Sequence, residues 1–337
     1  MRMIENRVFR VALVGCGVIS GKHLEAILAA GQKIVALCDP EPEKANKRAL
    51  SQGLTDIPVF TDYEKMLDEV RPDIVHICTP HDLHAPMTIT ALDRGIHVLC
   101  EKPLAISEEQ LQAILAAERK SSALLGVCHQ NRYEPNMRKL KEMSETDCPV
   151  AGYANVVWKR DAAYYASAAW RGTKAHEGGG VLINQAIHTM DIMQWVFGMP
   201  EAVTARVSND FHQGEIEVED TAICTFEGKN GILWQFFATT AGSDDFPVQL
   251  NLSLASGKLI EAMNHQFTVD HRVLSGEDDT GSGKWVWGNG HKALIADFYQ
   301  HVRENRPFWL NGAEGAKVIR MILAAYRSNG ARVRIEE

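Results

Sequence analysis

The stretch VFRVALVGCGVISGKHLEAI, residues 8–27, runs from an apolar strand-like segment into a glycine-rich turn and then a helical repeat. The next apolar run, IVALCDP, closes on Asp39, roughly 20 residues further on, where a dinucleotide's ribose lies relative to its phosphate turn. Strand, tight turn, helix, strand and acid follow in the order a βαβ nucleotide site requires. Gly15 and Gly17 lack a Cβ, so the chain can bend sharply and its backbone can approach a pyrophosphate. Val18 and Ile19 open a helix, expected over about 18–30, whose amide groups and positive dipole end face the phosphates. Ser20 holds the place of the third glycine and is small enough for close helix–strand packing; Gly21 follows it. Asp39 accepts from both ribose hydroxyls and repels a 2′-phosphate, and the residues after it are Pro40, Glu41 and Pro42 with no Arg. The pattern favours NAD over NADP. The competing reading is an ordinary α/β turn with a helix-capping acid.

A chain of 337 residues suffices for two domains, each burying its own core. Hydrophobic content of 45% with 23% charged residues is ordinary globular composition. A formal charge of −8 without a basic block argues against a nucleic-acid partner. Seven cysteines lie scattered, without a CxxC, which reads as core thiols in a reducing compartment and not as a disulfide framework or structural zinc site. The opening MRMIENRVFRVALVG lacks a signal-peptide layout, and no apolar run reaches the roughly 18–20 residues of a membrane span. The expectation is a cytoplasmic enzyme with no metal centre and neither membrane nor nucleic acid as partner.

From residue 8 to about 128, short apolar runs (VFRVALVG, KIVALCD, PVF, DIVHIC, HVLCE, ALLGVCH) alternate with helical stretches. This predicts a doubly wound parallel sheet with ligands outside the strands' carboxyl ends. Ser107 and Gln110 have capping-box spacing. After Cys128 the pattern changes. A helix is expected over about 134–144, a strand at GYANVVWKR, a helix over about 179–197, an antiparallel sheet over about 202–272, and helices over about 291–304 and 313–328. Hairpins are expected at EGKNG and SGK. The division is residues 1–128 and 129–337.

Three further segments fall where such a sheet places its cleft. ICTPHDLHAPM ends a buried strand at Thr79 and Pro80, turning backbone and hydroxyl toward a ligand, and enters a helix carrying His84; that histidine reads also as a satisfied helix-surface residue. HVLCEKPLAIS sets Glu101 and Lys102 directly after a buried strand. Pro103 restricts the lysine to extended or turn geometry and permits a cis bond. A partly desolvated lysine beside a nicotinamide stabilises an alkoxide or shuttles a proton; a strand-end ion pair is the other reading. In WRGTKAHEGGGVLINQAIHTMDIMQW, Gly178, Gly179 and Gly180 open a largely buried helix that places Asn184, His188 and Asp191 on one face. A histidine there is a natural general base. A metal reading lacks ligands, since Asn is a poor one and no second His stands at i+4.

Together, GCGVISGKH, ICTPHDLH, CEKPLA and GGGVLINQAIHTMD resemble the glucose-fructose oxidoreductase / inositol dehydrogenase (Gfo/Idh/MocA) family over nearly the whole chain. The resemblance implies an N-terminal Rossmann domain and a C-terminal α/β domain with a large, open, mostly antiparallel sheet. In that family the open face packs on another subunit, implying a homodimer or homotetramer.

By the resemblance, NAD is held by Gly15, Gly17, Val18, Ile19, Asp39, Thr79, Pro80, His84, Glu101 and Lys102. Lys102 touches both cofactor and substrate hydroxyl, and His188 takes the hydroxyl proton as hydride leaves for the nicotinamide. Asn184 belongs to the catalytic set but departs from the Asp of many relatives, so it cannot relay a proton or raise the histidine's pKa by charge. Asp191 and Arg132 match substrate contacts. Tyr165, Trp170 and Arg171, with Tyr164 beside them, are expected to wall the pocket, since aromatic faces stack on sugar rings and Arg grips carboxylate or phosphate; ordered-loop packing is the other reading.

The implied activity is oxidation of a secondary hydroxyl on a sugar, cyclitol or sugar derivative. Alternatives are a UDP-N-acetylhexosamine-type nucleotide-sugar dehydrogenase, an NAD-dependent glycosidase or lyase, and a non-catalytic NAD-sensing regulator.

Overall fold

The apolar runs of the first part of the chain become the strands of one parallel sheet. In the computed structural model, which describes residues 7–263, 266–275 and 290–336, they are β1 (Arg10–Val14), β2 (Lys33–Cys38), β3 (Val59–Phe60), β4 (Ile74–Ile77), β5 (His97–Cys100) and β6 (Leu125–Val127). Their order is β3-β2-β1-β4-β5-β6, with every neighbouring pair parallel. The order reverses between β1 and β4, which opens a crevice at their carboxyl ends. β4 and β6 are buried at every residue, as strands covered on both faces must be.

Helices α1 (Ser20–Ala29), α2 (Pro42–Ser51), α3 (Tyr63–Val70), α4 (His81–Asp93) and α5 (Glu108–Lys120) make the connections. Ser107 Oγ caps α5 by accepting from Gln110 N at 3.2 Å, while the Gln110 side chain returns to Ile106 N at 3.1 Å, one residue before the reciprocal partner of a capping box.

The second part contributes α6 (Pro135–Thr146), β7 (Pro149–Val157), α7 (Ala162–Ala166), α8 (Ile187–Phe197), β8 (Ala202–Ser208), β9 (Thr221–Glu227), β10 (Leu233–Thr239), β11 (Gln249–Leu254), β12 (Leu259–Met263), β13 (Gln266–Val269) and β14 (Arg272–Ser275). They are followed by α9 (Gly290–Glu304), α10 (Gly312–Ser328) and β15 (Arg332–Arg334). Among the described residues nine strands form a sheet ordered β14-β13-β12-β11-β7-β10-β9-β8-β15, antiparallel except where β10 lies parallel to β7. EGKNG and SGK join β9 to β10 and β11 to β12.

Burial alternates along β9, β10 and β11, so one face of this sheet is covered and the other is open. On the covered face Trp234 stacks on Phe226, its cross-strand partner, with ring centroids 4.1 Å apart, and Phe197 of α8 stacks on Trp234. Such rings dominate core energetics.

Contacts divide the chain into two units, residues 1–130 with 289–316 and residues 131–288 with 317–337. The return of 289–316 to the first unit goes beyond a linear division at 128/129. Its helix α9 packs on α1, with Phe298 and Tyr299 in the core.

Candidate active site

In the first unit, the glycine-rich turn is shaped by steric need. Gly15 has φ +85°, and a Cβ there would lie 2.5 Å from the Cys78 carbonyl oxygen, so only glycine lets β1 turn beside β4. Gly17 has open space where a Cβ would point, and Val18 is 66% exposed, so the turn offers its outer surface to a ligand. Asp39, at the end of β2, is 7% exposed and fixed by two backbone donors, Cys16 N at 2.8 Å and Glu41 N at 2.9 Å. Arg48 of α2 donates to Gly17 O at 2.7 Å, and a Cβ on Gly21 would come within 2.8 Å of its guanidinium. Arg48 therefore braces the turn, a contact that local spacing does not reveal. Burial first, and Asp39 after it, push the Cys16 and Cys38 thiols up to about 12, so neither serves as a nucleophile.

The carboxyl ends of β4 and β5 form the adjoining edge. Thr79 Oγ1 is buried there with no hydrogen-bond partner among the described residues. That orphaned hydroxyl, with the open cradle at Gly17, fits a dinucleotide along these strand ends. His84 is fully buried, its Nδ1 2.6 Å from Pro103 O and its Nε2 2.9 Å from Thr79 O. It ties Thr79 to the loop after β5, and burial holds its pKa below the usual range.

The Lys102–Pro103 bond is cis, and Lys102 N donates to Glu101 Oε2 at 3.2 Å. Glu101 turns its carboxylate inward, with His23 Nε2 at 2.9 Å and His291 Nε2 at 3.6 Å. Burial alone would raise the Glu101 pKa, but these two imidazoles outweigh it and hold the carboxyl well below its usual range. Cys128 Sγ lies 4.0 Å from His23 Nε2. Behind His23, its Nδ1 meets His76 Nδ1 at 2.8 Å, and His76 Nε2 meets Tyr299 Oη at 2.8 Å.

In the second unit, the expected helix over 179–197 begins as a π-helical turn, Val181–Gln185, before α8. The cause is Glu219, whose carboxylate accepts from Gly180 N at 2.8 Å, Leu182 N at 3.0 Å and Tyr326 Oη at 2.9 Å. Burial raises the Glu219 pKa. Ala186 N then bonds Val181 O at 2.8 Å, an i→i+5 link of the kind often found at functional sites.

The glycines here answer crowding. A Cβ on Gly180 would stand 1.9 Å from Glu219 O, and one on Gly179 2.1 Å from Tyr326 Oη. Between Val181 and Met190, only Asn184 and His188 are not buried. Asn184 Nδ2 donates to Glu177, which also accepts from Gly172 N and is pushed up to about 7 by burial.

Asp191, three residues on from His188 in α8, is buried where Asn184 and His188 are half-exposed. It is 1% exposed and forms a two-pronged pair with Arg132, at 2.8 Å from Nε and 2.6 Å from Nη2. Tyr165 is buried, with Thr240 Oγ1 at 3.1 Å. Arg171 lies 4.3 Å over the Tyr164 ring and 4.6 Å over the Trp170 ring. The unit thus joins Arg132 to Asp191, and Arg171 to Trp170 and Tyr164. Glu177 and Glu219, which sequence reasoning passed over, are what organise the Asn184 segment.

Two domain models of one family match the chain. The Gfo/Idh/MocA model described as an oxidoreductase family with an NAD-binding Rossmann fold matches residues 9–129, and the Gfo/Idh/MocA C-terminal domain matches residues 146–260. A D-glucoside 3-dehydrogenase of Escherichia coli (strain K12) is 27% identical, covering 97% of both chains. A 1,5-anhydro-D-fructose reductase of Ensifer adhaerens is 26% identical over 80% of this chain and 81% of its own. Among solved structures, a WlbA dehydrogenase from Chromobacterium violaceum, in complex with NADH and UDP-GlcNAcA, superposes with a TM-score of 0.87. It is 26% identical and covers 98% of this chain and 97% of its own. Among the described residues, no helix is long and apolar enough to cross a membrane.

Proposed function

As the chain belongs to the Gfo/Idh/MocA oxidoreductase family, with its NAD-binding Rossmann fold, we propose that it oxidises a secondary hydroxyl of a sugar, cyclitol or sugar derivative. The observation that carries this reading is the setting of Lys102, between the inward-turned Glu101 and the Pro103 carbonyl bound by His84. Bound NAD supplies the hydride-accepting nicotinamide. Gly15, Gly17, Val18 and Ile19 form the phosphate turn, Asp39 takes the ribose hydroxyls, and Thr79, Pro80, His84 and Glu101 shape the edge beside it. Lys102 donates a hydrogen bond to the substrate oxygen and stabilises its developing charge. His188, held half-exposed in an otherwise buried helix, removes the hydroxyl proton, and Asn184 orients the hydroxyl. Arg132 and Asp191, matched to substrate contacts by the resemblance, form a buried pair that braces α8. The names of the relatives support the substrate class: a glucoside dehydrogenase and an anhydrofructose reductase.

The test is stoichiometric NADH formation when the full chain and NAD are offered panels of glycosides, inositols and nucleotide sugars. Product without NADH accumulation would favour the hydrolase or lyase alternative, and ligand-dependent NAD binding with no product the regulator. A nucleotide-sugar substrate is the second reading. The guanidinium of Arg171 between Tyr164 and Trp170 favours it, as a surface for an anionic, ring-bearing ligand, and so does the UDP-GlcNAcA bound by the WlbA structure. A turnover preference for the nucleotide sugar over the free sugar distinguishes the two.

The open sheet face supports a homodimer or homotetramer. Ile223, Phe237, Asn155, Gln249 and Met263 follow one another across paired strands on that face, and Tyr153 and Leu233 are exposed on it. Light scattering on the purified chain tests this.

A further inference from the structure

Inside the first unit, four metal-ligand side chains converge from four separate segments: His23 of α1, Glu101 after β5, Cys128 after β6, and His291 in the first turn of α9. None exceeds 5% exposure, and one donor atom from each lies within 4.8 Å of the other three. Zinc bonds of about 2.0–2.3 Å in a tetrahedron set neighbouring ligand atoms roughly 3.3–3.8 Å apart. The observed separations bracket that spacing: 2.9 Å between His23 Nε2 and Glu101 Oε1, 3.6 Å between His291 Nε2 and the same oxygen, and 4.0 Å between Cys128 Sγ and His23 Nε2.

A second observation points to a ligand. Neither ring nitrogen of His291 has a hydrogen-bond partner among the described residues, although the side chain is almost wholly buried and Nε2 faces the cluster. Leaving an imidazole so is costly, and a bound cation removes the cost. His23 also carries, on its other ring nitrogen, the hydrogen-bond partner that metal-bound histidines usually keep: Nδ1 meets His76, which is held in turn by Tyr299.

We propose that His23, Glu101, Cys128 and His291 form a tetrahedral site for a divalent transition metal, zinc by the chemistry of the donor set. Imidazole and thiolate select zinc over magnesium or calcium. One thiolate and one carboxylate cancel the charge of the dication, which suits a dry interior. On binding, four metal–ligand bonds form and the Cys128 thiol proton leaves to solvent. All four positions are filled by protein, so the ion is structural: it joins the ends of β5 and β6 to α1 and α9 and fixes the residue that precedes Lys102. The site is independent of the dehydrogenase reading.

The test uses the full-length chain, purified without an immobilised-metal column and dialysed against a weak chelator. Elemental analysis should find about one zinc per chain, from the four-ligand closed site. Exchange with Co²⁺ should bring intense visible bands of tetrahedral cobalt and a thiolate-to-cobalt charge-transfer band. Cys128→Ser should abolish the charge-transfer band, and Cys148→Ser, at the exposed thiol, should leave it unchanged. His291→Gln should lose its metal in the same dialysis. Circular dichroism reports whether each variant folds; should one fail, the wild-type measurements decide alone. A wild-type chain that retains no zinc and gives no thiolate–cobalt band overturns the site, as does a band that survives Cys128→Ser in a folded chain. The cluster would then be a hydrogen-bonded acid–base group.

Discussion

Arg132 and Asp191, 59 residues apart in sequence, meet side-on through two hydrogen bonds of 2.8 and 2.6 Å, and neither side chain is more than 1% exposed. Gln194 accepts from the same guanidinium at 3.1 Å. Removing one partner of such a pair leaves the other charge uncompensated, at about 3–5 kcal/mol. Asp191→Asn should therefore lower the unfolding free energy measured by urea titration by an amount of that order, moving the midpoint down. A variant with an unchanged midpoint but a raised KM would place Asp191 on the substrate.

The two glycines of the nucleotide turn should respond differently to a methyl group. Gly15→Ala brings a Cβ within 2.5 Å of the Cys78 carbonyl oxygen at φ +85°, so the turn must rearrange. The backbone penalty alone is about 1–2 kcal/mol. In Gly17→Ala the added carbon meets no protein atom within 4 Å. Its stability should stay within about 0.5 kcal/mol of wild type, while its NAD affinity should fall, because the methyl occupies the pyrophosphate's approach. Thermal unfolding with and without NAD separates the two effects.

What was legible in the sequence was local. Gly15, Gly17 and Asp39 belong to one βαβ unit whose spacing follows from strand and helix geometry, and the strand alternation of the first unit follows from hydrophobic periodicity. What escaped depends on distant partners. The π turn before α8 is held by Glu219, 39 residues away from Gly180, and Asp191 is buried by its pairing with Arg132, 59 residues away, so neither follows from the helical period. The cluster at His23, Glu101, Cys128 and His291 has no short spacing to advertise it. Only the topology, which brings α9 back onto α1, assembles it.

Glu177 gives a pH dependence of determinate sign. Burial raises its carboxyl from the usual 4.5 to about 7, against the lowering pull of Gly172 N and Asn184. The folded chain therefore holds a proton between those values that the unfolded chain has released. Stability is full below about pH 4.5 and declines as pH rises to about 7, then levels. The loss is on the order of 3 kcal/mol. Glu177→Gln, uncharged throughout, should be more stable than wild type above pH 7, and the difference should shrink on acidification. A difference in Tm that is flat from pH 4.5 to 8 would refute the raised carboxyl.

Lys102 and His188 carry the proposed proton chemistry, and each can be removed without losing the coenzyme turn. Lys102→Met keeps the length of the side chain and leaves Gly15, Asp39 and Thr79 in place. NAD affinity by fluorescence titration should stay within a few-fold, while kcat falls by at least ~10², the usual scale of general acid–base assistance. His188→Ala should lose a similar factor and also the acidic limb of the kcat pH profile, because a neutral imidazole is what accepts the proton. Full turnover in either variant would remove that residue from the reaction. Loss of NAD binding in Lys102→Met, with turnover restored at saturating NAD, would assign the lysine to the coenzyme alone.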